Sequence, residues 1–193
     1  MLEVEQYGKI IYYKNAIENV SDLLNLIEKT DLDDLNLSVV SKWNNWISSD
    51  KSYTFGKQKM MNFNNYDNSS NETKLIYDSI NNAIVVVSKH YSEMFNFDIG
   101  KLMPLSISKY FVGKEMGPHV DSYGDDRSPV ISVVAYLNDD YEGGELYFNK
   151  QGIKIKPEAG SIMVFPSTEP YYHESMPIKN GVKYMSPGFW YKA

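Results

Sequence analysis

From Gly100 onward the chain breaks into short stretches of alternating apolar and polar residues, each closed by a turn signal. PVISVVAYLN is the clearest: Ile131, Val133, Ala135 and Leu137 fall on one face, Ser132, Val134 and Tyr136 on the other. SISKYFV, ELYFN, GIKIKP, SIMVFP, YYHESMPI and GVKYMSPGFWY read the same way, giving about seven or eight short strands. DDYEGG and EAG are turns, with Gly143 and Gly144 supplying turn conformations and close packing rather than a phosphate loop. So many short strands at this spacing restrict the second half to an antiparallel sandwich or jelly roll.

The first hundred residues read mainly as helix. Lys9–Tyr13 is a short strand candidate, and Ile17, Val20, Leu23, Leu24 and Ile27 follow at helical spacing. NETKLIYDSINNAIVVVSKHYSEMF is the strongest amphipathic helix, with Asn71 or Thr73 as its expected cap. A further strand is expected near Lys59–Phe63, and residues 51–70 form a polar, aromatic-rich stretch suited to a lid. The expected fold is α+β: a double-stranded β-helix (jelly roll) core with N-terminal helices packed against it. Residues 1–193 read as a single domain, 1–99 as mainly helical support and 100–193 as the main part of the core.

Composition removes several classes. With no cysteine there are no disulfides, thiolate metal sites or cysteine nucleophiles. A net charge of −6 and a pI near 5.1 argue against a nucleic-acid partner bound through a basic surface. No apolar run is long enough for a membrane span, and the N-terminus lacks signal-peptide character. The expectation is a cytoplasmic or intracellular protein of bacterial or viral (phage) origin.

His119 and Asp121, in GPHVD, are two residues apart and on an extended strand face the same way. Of the other two histidines, His90 lies late in the long helix as an ordinary helical residue, which leaves His173 as the third ligand. Alone, the pair is equally a polar turn. With His173 it forms two imidazoles and a carboxylate, a set that suits Fe(II) with three neighbouring positions open; zinc uses the same residue types. Gly117 and Pro118 read as a bend leading into the ligand strand.

Tyr110, Gly113, His119–x–Asp121, VVAYLND, YEGGELYF, MVFPS, His173 and the GVKY that contains Lys183 follow one another in an order that resembles the 2-oxoglutarate- and Fe(II)-dependent dioxygenases, in the prolyl 4-hydroxylase-like branch. The resemblance covers roughly Leu105 to Tyr191. It implies that His119, Asp121 and His173 are the catalytic iron ligands, and that Lys183 and Tyr110 bind the carboxylate of 2-oxoglutarate. It further implies O2 as co-substrate, ascorbate as reductant, succinate and CO2 as coproducts, and hydroxylation of an unactivated C–H bond. The implied substrate is a proline-containing peptide or protein, with Arg127, Tyr136 and Trp43 as candidate contacts. Arg127 does not keep the family's offset cleanly and serves equally as a surface residue beside Asp125 and Asp126; Trp43, with Trp46, serves equally as core. Asp121 separates the chain from halogenase-like relatives. Two alternatives stay open: an oxygenase acting on a free amino acid or other small molecule, and a cupin-like metal-binding module without oxygenase activity. Lys183 separates the last from the rest, because only an oxygenase needs a cation in the metal cavity.

Overall fold

The structure, a computed structural model, describes residues 3–32, 44–45, 58–63, 69–122, 124 and 128–193. Among these, two helices and fourteen strands build three layers. The helices are α1 (Val20–Leu32) and α2 (Asn71–Phe95). The largest layer is an eight-stranded sheet containing β1 (Glu3–Tyr7), β2 (Ile10–Lys14), β11 (Ile162–Pro166), β7 (Ile131–Tyr136), β14 (Lys183–Trp190), β5 (Ser106–Tyr110), β4 (Gln58–Asn62) and β3 (Asn44–Asn45), in that spatial order. Opposite stands a four-stranded sheet ordered β10 (Ile153–Ile155), β9 (Leu146–Phe148), β12 (His173–Ser175) and β6 (Met116–His119). A small pair, β8 (Glu142–Gly143) with β13 (Ile178–Asn180), closes one end. The neighbouring strands of these sheets run antiparallel.

The period-2 pattern is realised on both faces of the large sheet. Ile131, Val133 and Ala135 of β7, Ile162 and Val164 of β11, and Ile11 and Tyr13 of β2 share one apolar cluster with the helices. Their neighbours Tyr136, Met163, Phe165, Ile10 and Tyr12 pack instead with Leu146, Phe148 and Ile155 of the small sheet. Helix α2 meets the first cluster with Ile76, Ile80, Ile84, Val87 and Tyr91, at the spacing one helical face requires.

The N-terminal region departs from the mainly helical expectation. It supplies four strands, β1–β4, to the large sheet as well as the two helices. The β1–β2 hairpin turns at Gly8 (φ +65°), and β2 then pairs with β11. Ser70, not Asn71 or Thr73, caps α2: its hydroxyl accepts the Thr73 N–H at 3.2 Å. Ile17 lies ahead of α1, buried, with its N–H donating to the Gly160 carbonyl. Gly117 and Pro118 are not a bend but residues of β6 itself, an edge strand that tolerates a proline. The proposed lid, apart from Gln58–Phe63 and Ser69–Ser70, and both Trp43 and Arg127 lie outside the described residues.

The burial pattern of α2 fixes its stability contribution. Truncating Ile84, fully buried against the sheet, is expected to cost about 2–5 kcal/mol. Truncating Val86, 56% exposed on the opposite face, is expected to change stability by less than about 0.5 kcal/mol. Urea unfolding of Ile84→Ala and Val86→Ala checks the contrast.

Candidate active site

Strand pairing creates the site. β12 lies beside β6 with His173 opposite His119, and His173 also stands opposite Phe148 of β9. The two imidazoles are 4.4 Å apart between centroids, and Phe165 closes edge-on against His173 at 4.7 Å. Asp121 follows β6 and reaches between them: Oδ1 lies 3.4 Å from His119 Nε2, and Oδ2 lies 3.5 Å from His173 Nε2. One nitrogen or oxygen from each of His119, Asp121 and His173 falls within 4.8 Å of the others, the cluster able to hold a metal ion among the described residues.

The backbone settles which nitrogens face inward. His119 Nδ1 is 2.8 Å from the Gly117 carbonyl, and His173 Nδ1 is 3.1 Å from the Tyr171 carbonyl. A carbonyl only accepts, so each Nδ1 carries the hydrogen and each neutral ring presents its Nε2 lone pair to the cluster. This is the arrangement a metal-ligating histidine adopts.

Asp121 is held from behind. Its main-chain N–H and that of Ser122 both donate to the Ser167 carbonyl at 3.0 Å. Its Oδ2 accepts the Ser132 hydroxyl at 2.6 Å, and Ser132 Oγ is 2.8 Å from Ser167 Oγ. Burial pushes the Asp121 carboxyl up, but the hydrogen bond with His119, the charge of His173 and the Ser132 hydroxyl together hold it below its ordinary value. Burial lowers His119, yet its hydrogen bonds to Asp121 and Gly117 carry it above the usual imidazole range. His173 is more deeply enclosed; burial dominates there and holds its imidazole low despite Asp121. Two oppositely shifted histidines sharing one carboxylate form a coupled set able to exchange protons for a cation.

The triad opens into a cavity of about 180 Å³ lined also by Ser108, Tyr110, Val134, Tyr136, Leu146 and Lys183. Lys183 begins β14 opposite Tyr110 of β5, so both expected co-substrate residues come together. Lys183 is 1% exposed. Its ammonium donates to the Gly144 carbonyl at 2.6 Å, approaches Ser175 Oγ at 3.4 Å, and lies over the Tyr136 ring at 5.1 Å. Among the described residues it forms no ion pair. Burial, with some repulsion from Lys156 and partial relief from Glu145, brings it down to about 7. Gly144 has φ +66°, and a Cβ there would press on Ile178, Tyr141 and the Lys183 chain; the glycine is needed where the lysine enters.

The structure brings the triad, Lys183 and Tyr110, all expected from the sequence, together around one cavity. Tyr136, expected near substrate, is 1% exposed and lines the same cavity, its ring 5.1 Å from the Lys183 ammonium. Ser132 was legible as an inward residue of β7; the part of Ser167 was not. Its one signal is a small polar residue directly after the apolar run IMVFP. His90, set aside as a ligand, pairs with the Tyr13 hydroxyl at 2.9 Å.

The comparisons with known proteins agree with this geometry. A family model described as the 2OG-Fe(II) oxygenase superfamily matches residues 105–192. A protein of Acanthamoeba polyphaga mimivirus with the provisional name prolyl 4-hydroxylase is 23% identical over 146 residues, covering 65% of this chain and 60% of that protein. The chain thus spans less than two thirds of the length of the curated relatives it matches. The Trichoplax adhaerens prolyl hydroxylase, solved in complex with a hypoxia inducible factor peptide fragment, superposes with a TM-score of 0.69 at 16% identity over 96% of this chain and 84% of that one. The viral collagen prolyl hydroxylase of Paramecium Bursaria Chlorella virus-1, solved with 2OG, gives 0.61 at 16% identity over 97% of both chains. Those likenesses establish the jelly-roll fold, and the family model, running from the segment before β5 through the end of β14, makes residues 105–192 similar to the 2OG-Fe(II) oxygenase superfamily.

Proposed function

We propose that this chain is a 2-oxoglutarate- and Fe(II)-dependent oxygenase that hydroxylates a proline-containing peptide or protein. The observation that carries the reading is one cavity holding both a His–Asp–His cluster and a fully buried lysine. The donor set fits Fe(II): two inward Nε2 atoms and a carboxylate leave three positions for other ligands. The far end fits a dicarboxylate. A lysine enclosed there with one short carbonyl contact is costly unless it is neutral or meets an anion.

On this reading His119, Asp121 and His173 hold the iron, and Lys183 with Tyr110 takes the distal carboxylate of 2-oxoglutarate. The bound iron and co-substrate supply the activation of O2, with 2-oxoglutarate leaving as succinate and CO2 and one oxygen entering a substrate C–H bond. The chain's own groups bind and orient. The Gly117 and Tyr171 carbonyls fix the imidazoles, and Val134, Leu146 and Met185 give the cavity apolar walls that exclude water. Side-chain exposure falls from 29% at His119 to 12% at Asp121 and 8% at His173. Substrate therefore approaches over His119, and the co-substrate occupies the closed arm towards Lys183. The peptide or protein class is supported by the mimivirus relative's name and by the peptide bound to the Trichoplax enzyme. Residues 1–193 act as one domain, with the main part of the jelly-roll core in 100–193; among the described residues, no helix is long and apolar enough to cross a membrane.

The test is incubation with Fe(II), 2-oxoglutarate, O2, ascorbate and proline-rich peptides, reading succinate together with a peptide mass gain of one oxygen. Succinate stimulated only by small amino acids, or no succinate in any arm, refutes the peptide reading or the oxygenase reading respectively. Lys183→Ala should raise KM for 2-oxoglutarate by tenfold or more, since a charge-assisted contact is worth roughly 1.5–3 kcal/mol, while Mn(II) still binds the triad.

Acidity gives a separate check. A Lys183 near 7 in the empty cavity must be protonated to pair with a carboxylate, so binding takes up a proton above that pH. The folded value is depressed and the bound value is raised, so affinity is full below about 7 and declines as pH rises. Calorimetry of 2-oxoglutarate binding to the Mn(II)-loaded protein should show Kd about tenfold weaker at pH 8.5 than at pH 7, with uptake approaching one proton. Equal affinity at both values, with no proton uptake, removes this role from Lys183.

A further inference from the structure

We infer that the hydroxyls of Ser167 and Ser132 form a directed chain that confines Asp121 to ligation through one oxygen, which keeps three neighbouring metal positions open. The inference rests on the metal reading given above and concerns how this chain builds it.

Counting hydrogens sets the direction. Ionised Asp121 can only accept, and Ser132 has a single hydroxyl hydrogen, given to Oδ2 at 2.6 Å. In the 2.8 Å contact between the two serines, Ser132 must therefore accept and Ser167 must donate. The order is Ser167 to Ser132 to Asp121, and each link polarises the next. Both serines are 1% exposed, so water does not compete for these hydrogens.

The sheet makes the chain rigid. Ser132 is the inward-facing residue of β7 between Ile131 and Val133, opposite Phe165 of β11 and Phe189 of β14. Ser167 directly follows β11, and its carbonyl accepts from the main-chain N–H groups of Asp121 and Ser122. One residue thus anchors the backbone of the aspartate by its carbonyl and the carboxylate, through Ser132, by its hydroxyl. Oδ2 accepts the short Ser132 bond at 2.6 Å, while Oδ1 has only the longer 3.4 Å approach of His119 Nε2, a nitrogen that a metal would take. Ligation through both oxygens would have to draw Oδ2 to the metal by its remaining lone pair, at the expense of its 2.6 Å bond from Ser132. A bidentate carboxylate with two imidazoles would fill four of six positions and leave two. A bidentate co-substrate and O2 together need three. Ser132 and Ser167 are positioning residues, because neither lines the cavity.

The experiment uses the full chain and metal alone. Co(II) is titrated into the wild type, Ser132→Ala, Ser132→Thr and Ser167→Ala, and the visible d–d absorption reports coordination number. Mn(II) affinity is measured in parallel, and melting of the metal-free proteins checks that each is folded. Ser167→Ala keeps the carbonyl anchor and removes only the hydroxyl, so it carries the test if Ser132→Ala does not fold. The expected result is a changed Co(II) band and Mn(II) affinity weaker by about tenfold or more in Ser132→Ala, a smaller change of the same kind in Ser167→Ala, and a wild-type band in Ser132→Thr. A wild-type Co(II) band in every folded alanine variant overturns the inference and leaves the metal site standing. A wild type that binds neither ion overturns the metal site itself.

Discussion

The central strands of the large sheet are buried on both faces, and this governs where polar chemistry can sit. On one face α1 and α2 demand apolar residues at every second position of β2, β7 and β11. Any functional group carried by these strands must point the other way, into the space shared with the small sheet. Ser132 and Tyr136 on β7, Ser108 and Tyr110 on β5, and Lys183 on β14 all obey that parity. A one-residue slip of β7 would drive Ser132 into the helix layer and Ile131 into the site.

Burial also sets the electrostatic character of the cavity. Its deepest cation stands among aromatic rings and a main-chain carbonyl, while its carboxylate is matched by two imidazoles and a hydroxyl. The two charged ends are built differently. The triad's carboxylate is already held by a hydroxyl before any ion arrives. Lys183 forms no ion pair among the described residues, and its proton is the variable that adapts.

The parts that were legible in the sequence are those with a strong period or a rare residue type. Three histidines in the chain made His173 easy to single out, and Lys183 stood out in an apolar strand. The parity of β7 was legible because Ile, Val and Ala alternate with Ser, Val and Tyr. β6 was not, since MGPH has neither alternation nor strand propensity; pairing with β12 makes it a strand. The cap of α2 was missed by one position because Ser69, Ser70 and Asn71 are all good cap formers. The enclosure of Lys114, 0% exposed and 5.3 Å from the Tyr110 ring, had no local signal at all. It arises where the Gly113 N–H donates to the Ile178 carbonyl and the Ile178 N–H donates to the Lys114 carbonyl, a contact between distant segments.

The position of Pro118 has a consequence for the protein's behaviour in a crowded solution. An open site beside a sheet edge presents unpaired peptide groups to every passing chain, which is the template from which fibrillar stacking grows. Among the described residues the edge of the small sheet beside the site is Met116–His119, and its third residue has no N–H to give. A proline beside the histidine removes one backbone donor from that edge, a device that blunts strand addition without a bulky or charged side chain over the imidazole.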